Sequence, residues 1–253
     1  MILLIDIGNT SIKIATYEAK RNKIKNTVCL PTYSNKSISL INHYIKKNNI
    51  KTILATSVVP KIYNFIKSSI NRKKIKIYEF KDKKIIKFIK INIKKKLEVG
   101  SDRIVNSIGA LSCYKKNCII IDFGTTTTFD IVESNNIYQG GVIAPGINLS
   151  LKALNRFTAK LPLIKISEQK NVIGKDTISA INSGVFIGYT CLINGIIEKI
   201  KKQTKKKYFI VLTGGYAKLF KKSINYKSIV NQDITLLGLV EVIKQNKEIF
   251  IEC

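Results

Sequence analysis

The chain has 253 residues, 45% of them hydrophobic, and a formal net charge of +28 at pH 7. This length fits one large domain or two small ones, and this apolar fraction is sufficient for a buried core. Nucleic acid is not an expected partner despite the charge, because Lys and Arg are scattered through every segment, whereas a nucleic-acid-binding surface needs clustered basic residues.

Short β-branched runs that end at glycine or polar turns predict strands, and longer runs with helical periodicity predict helices. In chain order these are strands over 2–8 and 11–18, a helix over 39–49, a strand over 52–59, a helix over 60–71, a strand over 74–80, a helix over 101–114, strands over 118–124 and 127–133, helices over 149–157 and 178–203, a strand over 208–215 and a helix over 235–250. This alternation predicts an α/β protein in which helices cover the sheets. No apolar segment is expected to reach the length of a membrane span, and the first residues lack a signal-peptide pattern, so we expect a cytoplasmic protein without a membrane partner.

One pattern occurs twice: an apolar strand that ends at an aspartate is followed by a turn with glycine, hydroxyl residues and a second strand. The two aspartates, Asp6 and Asp122, are 116 residues apart (122 minus 6), which suits a domain duplication rather than a short solenoid repeat. We therefore expect two halves, residues 1–115 and residues 116–253. Because no Gly/Ser/Pro-rich linker separates them, we expect them to pack around a shared cleft.

The first of these turns has the composition of a phosphate-binding hairpin. Gly8 allows backbone N–H groups to approach an anion closely, and Lys13 adds a positive charge. A carboxylate at the strand end repels phosphate unless a cation lies between them, so Asp6 is expected to orient Mg²⁺ through water. An ordinary hairpin with a turn-forming Asp and Gly is the alternative for this motif taken alone.

The second copy and a later segment strengthen this interpretation. Asp122 and Gly124 are followed by a run of hydroxyl residues, Thr125–Thr128, although threonine is also common in edge strands. A late strand ends at Gly214-Gly215 and leads into a helix, which suits close passage of the backbone past a nucleotide. Together these segments can surround a triphosphate.

Phosphoryl transfer also needs a group that accepts the proton of the acceptor hydroxyl. His43, the only histidine, lies in a predicted helix with a polar face, so a carboxylate is the better candidate. Asp102 follows Gly100 and Ser101 at the start of a helix and precedes Arg103, where free N–H groups and a guanidinium can hold an anion. The alternative is an ordinary capped helix start with Ser101 as the N-cap.

The cysteines argue against a metal centre and a disulfide framework. Their number is odd, no C-x-x-C pair occurs, and one histidine cannot complete a zinc site with Cys29, Cys113, Cys118, Cys191 and Cys253. Reduced, buried thiols are the expectation for a cytosolic protein.

The paired hairpins and the Gly-Gly turn resemble the acetate and sugar kinase, actin and heat-shock chaperone superfamily, whose duplicated ribonuclease-H-like halves hold ATP between them. With "DIGNT", "VGSDR", "DFGTTTTFD", "GGVIAPG", "GKDTISAINSG" and "LTGG" in this order, nearly the whole chain resembles the type III pantothenate kinase family. The resemblance implies ATP-dependent phosphorylation of the terminal hydroxyl of pantothenate, the first committed step of coenzyme A synthesis.

The resemblance also implies roles for individual residues. ATP would be bound by Asp6, Ile7, Gly8, Asn9, Thr10, Ser11, Ile12, Lys13 and Thr125, with Mg²⁺ held by Asp6 through water. Pantothenate would be bound by Gly100, Ser101, Asp102, Arg103 and Thr177. Of these, Arg103 would be the partner of the substrate carboxylate and Asp102 the proton acceptor. Asp122 would bind the monovalent cation, potassium or ammonium, that the family needs, and the protein would be a homodimer.

The sequence departs from the family pattern at three positions near the substrate motif. Ser101 replaces the usual alanine, and Ile93 and Lys96 stand where relatives tend to have tyrosine and proline. Two alternatives follow: a kinase of another small hydroxylated substrate on the same fold, and a non-enzymatic regulator or nucleic-acid binder suggested by the charge.

Overall fold

The structure, a computed structural model, describes residues 1–70, 75–85 and 88–251. The chain forms two compact units, each described below by itself. The first unit consists of Met1–Lys115, Asn135–Tyr138 and Asp233–Cys253, and the second of Lys116–Ser134 and Gln139–Gln232. The division into halves over residues 1–115 and 116–253 stays a prediction; the segment from Asp233 onward groups with the first unit, where its helix packs.

The strands are β1 (Ile2–Ile7), β2 (Ser11–Glu18), β3 (Lys23–Pro31), β4 (Thr52–Ser57), β5 (Lys76–Glu79), β6 (Lys90–Ile91), β7 (Cys118–Phe123), β8 (Thr126–Glu133), β9 (Ile137–Pro145), β10 (Phe209–Gly214) and β11 (Ser228–Val230). The α-helices are α1 (Asn35–Lys47), α2 (Pro60–Ile70), α3 (Ser101–Tyr114), α4 (Ile147–Phe157), α5 (Thr177–Thr204), α6 (Ala217–Phe220), α7 (Ile234–Gln245) and α8 (Lys247–Phe250). The prediction of an α/β protein is confirmed.

The first unit is built on a five-stranded sheet with the strand order β3-β2-β1-β4-β5. Neighbours are antiparallel from β3 to β1 and parallel from β1 to β5. Alternate residues of β1, namely Leu3, Ile5 and Ile7, are buried in the core with side chains of α1 and α2. Asp6 therefore projects from the opposite face, on which α3 and α7 contact β1 and β4.

The second unit repeats this arrangement with β7 in the place of β1. Its strands follow the order β11-β10-β7-β8-β9, with β7 antiparallel to β8 and parallel to β10. The same pattern of order and direction in both sheets supports the duplication inferred from the two aspartate hairpins. Within the first unit, the short strand β6 pairs in parallel with the first two residues of β9, Ile137 and Tyr138.

Helices α3 and α7 pack closely because glycines face each other where they cross. A Cβ atom at Gly109 would overlap the carbonyl oxygen of Ile234, and one at Gly238 would overlap that of Val105. Beside this crossing, the buried hydroxyl of Thr235 donates a hydrogen bond to Oδ1 of Asn106 at 2.7 Å. The crossing fixes the N-terminal end of α7, and with it the preceding residue Asp233, relative to α3.

Helix α5 corrects one expectation. It has 28 residues and an apolar window long enough to cross a membrane by length and composition, contrary to the prediction that no segment reaches that length. One side of α5 is nevertheless buried in the core of the second unit, where Ile193 and Ile197 pack with Phe123 and Phe220. The helix is therefore a partly buried core helix.

Several elements differ from the prediction for identifiable reasons. The strands β3, β6, β9 and β11 were not predicted; β3 contains Lys23, Lys25 and Asn26, and most of its residues are exposed. The last predicted helix is divided into α7 and α8 at Asn246, which has the non-helical angles φ −130° and ψ 48°. Of the cysteines, only Cys118 is a buried free thiol, so the expectation of buried thiols is wrong for Cys29, Cys113 and Cys191, and Cys253 lies outside the described residues.

Candidate active site

The β1–β2 hairpin forms the predicted glycine turn. The Gly8 N–H donates to the Ser11 carbonyl at 3.0 Å, which closes the turn immediately after Asp6. Thr32, at the end of β3, braces the turn from the side: its hydroxyl donates to the Gly8 carbonyl at 2.7 Å, and its N–H donates to the Thr10 carbonyl at 3.1 Å. The turn is thus held by hydrogen bonds from a third strand.

The predicted ATP-binding residues of this hairpin divide into two kinds. Ile7 and Ile12 are buried in the core under the sheet, so only their backbone groups can contact a ligand. Asn9, Thr10 and Ser11 are exposed and carry polar side chains. This combination suits a phosphate ligand, which can be held by backbone N–H groups and neutral donors.

A row of polar side chains runs across the sheet at the end of β1. Asp6 is registered with Lys13 on β2 and with Thr56 on β4, so the three side chains lie on the same face. The Lys13 ammonium lies 3.4 Å from Oδ1 of Asp233, the residue that precedes α7. Aspartate is a favoured N-cap, yet the Asp233 side chain makes no capping bond to the helix. Its carboxylate faces the lysine instead.

Helix α3 begins beside this row. The Ser101 hydroxyl donates to the carbonyl of Ser57, the last residue of β4, at 2.8 Å. The alanine expected from the family pattern could not make this bond, so Ser101 adds a tether between the helix start and the sheet. A Cβ atom at Gly100 would lie 2.5 Å from Oδ1 of Asp102, so glycine leaves the space that this carboxylate occupies.

Asp102 has the electrostatic character of a proton acceptor. Burial raises the pKa of its carboxyl group above the usual range. The Arg103 N–H, which donates to Oδ1 of Asp102 at 2.8 Å, and the positive charge of the Arg103 guanidinium both lower this pKa, but burial is the larger effect. A carboxylate with a raised pKa is a stronger base than an exposed one.

A cavity of about 520 Å³ opens next to this helix start and is lined by Ile93, Lys94, Lys95, Glu98, Val99 and Arg103. Its basic side chains, above all the Arg103 guanidinium, suit an anionic group such as a carboxylate. Ile93, one of the departures from the family pattern, lies in the wall of this cavity. Lys96, another departure, is exposed and is not part of the lining.

The second unit holds the remaining hairpin residues. Asp122 lies near the end of β7, and a Cβ atom at Gly214 would approach its Oδ1 to 2.5 Å, so the backbone of β10 passes close to this carboxylate. Gly214 also has a φ of +82°, which favours glycine. A Cβ atom at Gly146 would overlap the carbonyl oxygen of Thr125, so the glycine of the "APG" segment is needed where α4 begins against this turn.

Thr177 belongs to the second unit. It is the first residue of α5, is exposed, and follows Asp176, whose side chain accepts from the Ser179 N–H at 2.9 Å in a capping box. The structure therefore places Thr177 at a well-formed helix start, where its hydroxyl is accessible.

The donor set fits a phosphate-bound Mg²⁺ better than a metal centre made of protein alone. In residues 1–70, 75–85 and 88–251, no group of three or more His, Cys, Asp and Glu side chains could hold a metal ion. Mg²⁺ is commonly bound through one or two carboxylates together with substrate phosphates. Asp6, at the end of β1 beside an open turn, fits this mode of binding.

Three residues near the site were missed by sequence reasoning: Thr32, Thr56 and Asp233. They reach the site through strand pairing or helix packing, and Thr32 and Asp233 belong to no local motif that sequence spacing could detect. For Thr56 a partial signal exists, because the predicted strand over residues 52–59 runs toward the site.

Comparison with known proteins assigns the chain to a family. A family model described as type III pantothenate kinase matches residues 2–199. A type III pantothenate kinase from Pelagibacter ubique is 43% identical over 244 residues, covering 95% of this chain and 97% of the relative. Another from Sulfurihydrogenibium is 37% identical over 249 residues, covering 94% and 98%.

Solved structures agree on the fold. A Campylobacter jejuni protein assigned to the Baf family of transcriptional activators matches with a TM-score of 0.63 at 22% identity, covering 97% of this chain and 99% of that chain. Component A of the (R)-2-hydroxyglutaryl-CoA dehydratase from Acidaminococcus fermentans matches with a TM-score of 0.52 at 15% identity, covering 95% of each chain. The predicted actin-like ATPase fold is confirmed.

The raised pKa of Asp102 predicts a stability cost at neutral pH. Because the folded protein holds this proton more tightly than the unfolded chain, stability falls as pH rises from the unfolded pKa of about 3.9 through the raised folded value. Asp102→Asn should therefore raise the melting temperature at pH 7, because the amide carries no charge to be desolvated. The gain should vanish below about pH 4, where both states are protonated.

The control is the same change at Asp176, whose pKa is lowered chiefly by the Ser179 N–H. Asp176→Asn should not stabilise the protein at pH 7. Thermal unfolding of both variants from pH 3.5 to 8 measures the difference. If both substitutions changed the melting temperature equally at every pH, the conclusion that burial raises the pKa of Asp102 would be contradicted.

Proposed function

The chain belongs to the type III pantothenate kinase family, and we propose that it phosphorylates the terminal hydroxyl of pantothenate with Asp102 as the proton acceptor. The observation that carries this proposal is the position of Asp102. Its half-buried carboxylate, whose pKa is raised by desolvation, lies at the start of α3, between the end of β4 and the cavity that Arg103 lines. A base with a pKa moved toward the working pH accepts a proton more effectively.

For the nucleotide, we assign the residues Asp6 to Lys13 of the β1–β2 hairpin. Backbone N–H groups of the turn and the Lys13 ammonium would bind phosphate oxygens. Asp6 would orient Mg²⁺ through water, and the metal, when bound, supplies charge neutralisation at the phosphates. The residue pairing supports this division of roles, because Asp6 and Lys13 are registered neighbours on one face of the sheet.

For pantothenate, we assign the segment Gly100–Arg103. The Arg103 guanidinium would bind the substrate carboxylate from the wall of the cavity. Asp102 would then accept the proton of the terminal hydroxyl as the phosphoryl group is transferred. Thr177, with its exposed hydroxyl at the start of α5, is assigned to substrate contact on the strength of the family motif alone.

In the second unit, Asp122 is proposed to bind the monovalent cation, potassium or ammonium, and Thr125 to contribute to ATP binding. Asp122 and Thr128 are registered across β7 and β8, and the Thr128 hydroxyl lies 3.2 Å from Oδ2 of the buried Asp130. Such an oxygen-rich strand end fits a hard cation, which prefers carboxylate, hydroxyl and carbonyl oxygens.

A cytoplasmic homodimer is proposed as the working form of the enzyme. Between β9 and the start of α5, large apolar side chains are exposed that a second copy of this chain could cover: Ile143, Leu149, Leu154, Phe157, Leu163, Val172, Ile173 and Ile178. Phe157 is 80% exposed, and large exposed apolar side chains are often covered at interaction surfaces. We expect light scattering to give the mass of two chains; the mass of a single chain at micromolar concentration would contradict the proposal.

The direct test is ATP turnover by the purified protein with pantothenate. Potassium or ammonium should stimulate turnover when compared with sodium at equal ionic strength. Asp102→Asn should lower kcat by 10²-fold or more, the scale usual for loss of a general base. The matched control is Asp82→Asn, the same change at an aspartate of the turn after β5 that has no assigned role, which should keep turnover within twofold.

Each contrary result has a distinct meaning. Full activity of Asp102→Asn would exclude it as the base. ATP binding without turnover of pantothenate would indicate another small hydroxylated substrate. Salt-sensitive DNA binding that persists in Asp102→Asn, without any turnover, would indicate the regulatory alternative.

A further inference from the structure

The hydroxyl of Thr56 is in an unfavourable position in the free protein. Thr56 lies near the end of β4 and is completely buried, and its Oγ1 has no hydrogen-bond partner among the residues that the structure describes. Buried hydroxyl groups nearly always have a partner, because leaving one unpaired costs its full desolvation free energy. A valine would fill the same space without this cost.

The position of Thr56 relates it to the proposed nucleotide site. Thr56 is registered with Asp6 on the neighbouring parallel strand, and their side chains project from the same face of the sheet. The next residue, Ser57, accepts the hydrogen bond that tethers the start of α3. The Thr56 hydroxyl therefore lies beside the Asp6 carboxylate, which is assigned to the nucleotide phosphates. It also lies next to the end of β4, which anchors the start of α3.

The same pair of residue types recurs in the duplicated unit. There Thr213 on β10 is registered with Asp122 on β7, and Thr213 is also buried. In both sheets, a threonine of the parallel neighbour thus lies directly beside the aspartate at the strand end. This recurrence suggests that the threonine serves the aspartate.

We propose that Thr56 is a positioning residue for Asp6, and that its hydroxyl donates a hydrogen bond to the Asp6 carboxylate when MgATP is bound. The inference rests on the proposed function, in which Asp6 faces the nucleotide phosphates and their Mg²⁺. The unpaired hydroxyl destabilises the free protein and gains its partner in the bound protein. A ligand favours the bound state only through interactions that the free protein lacks. The hydrogen bond from Thr56 to Asp6 is such an interaction, because it forms only when MgATP is bound.

The test is Thr56→Val, which removes the hydroxyl and keeps the shape of the side chain. The melting temperature of the free protein should stay the same or rise, because a buried unpaired group is lost. The Kd for MgATP, measured by calorimetry, should increase by about 10-fold, because a hydrogen bond to a charged group is lost in the complex. A residue with a purely structural role would not give these opposite effects.

Two further variants serve as controls. Thr16 is equally buried, but its hydroxyl donates to the Lys25 carbonyl at 3.1 Å on the other face of the sheet. Thr16→Val should therefore lower the melting temperature and leave the Kd for MgATP unchanged. Thr56→Ser keeps the hydroxyl and loses a methyl group, so it should lower the melting temperature while keeping the Kd within about threefold of the wild-type value.

The outcomes separate this inference from the proposal on which it rests. If wild-type protein binds MgATP and Thr56→Val binds it equally well, Thr56 does not position Asp6. A lower melting temperature of Thr56→Val with unchanged affinity would show that the hydroxyl is satisfied in the free protein, which also overturns the inference. Failure of the wild-type protein to bind MgATP would overturn the proposed function itself, and this inference with it.

Discussion

The parallel pairing of β1 with β4 is the constraint on which the site of the first unit depends. It brings the ends of both strands to one edge of the sheet, so that Asp6 and Thr56 become direct neighbours. The last residue of β4, Ser57, then anchors the start of α3 through the Ser101 hydroxyl. The proposed phosphate-binding turn and the proposed base, Asp102, are therefore both positioned by the same pair of buried strands, and neither depends on a long loop.

The crossing of α3 and α7 adds the second element of rigidity. Gly109 and Gly238 allow the two helix backbones to approach closely, and this contact carries the end of the chain into the first unit. As a result, Asp233 lies beside Lys13, although the two residues are separated by most of the sequence. Because the second sheet repeats the strand order of the first, its Asp122 occupies the corresponding strand end, as expected from duplication of one ancestral hairpin.

The sequence was sufficient for the features of the site that are local in the chain. The turn at Gly8 and the helix start at Asp102 are defined by residues within a few positions, so spacing and turn chemistry could predict them. Thr32 and Asp233 could not be predicted, because their contacts depend on which strands pair and which helices cross. For the same reason, the sequence could not show that the segment from Asp233 onward groups with the first unit: helical periodicity identifies a helix but does not say which sheet it covers.

The central claim is that Asp102 is the proton acceptor and that its burial raises its pKa. The pH dependence of kcat/KM for pantothenate tests this most directly, since it reports the ionisation of essential groups in the free enzyme. The account predicts that kcat/KM rises with pH along an acidic limb whose apparent pKa lies above the ordinary aspartate value of about 3.9. It also predicts that the residual activity of Asp102→Asn lacks this limb. The same acidic limb in the variant would show that another group is the base and would contradict the account.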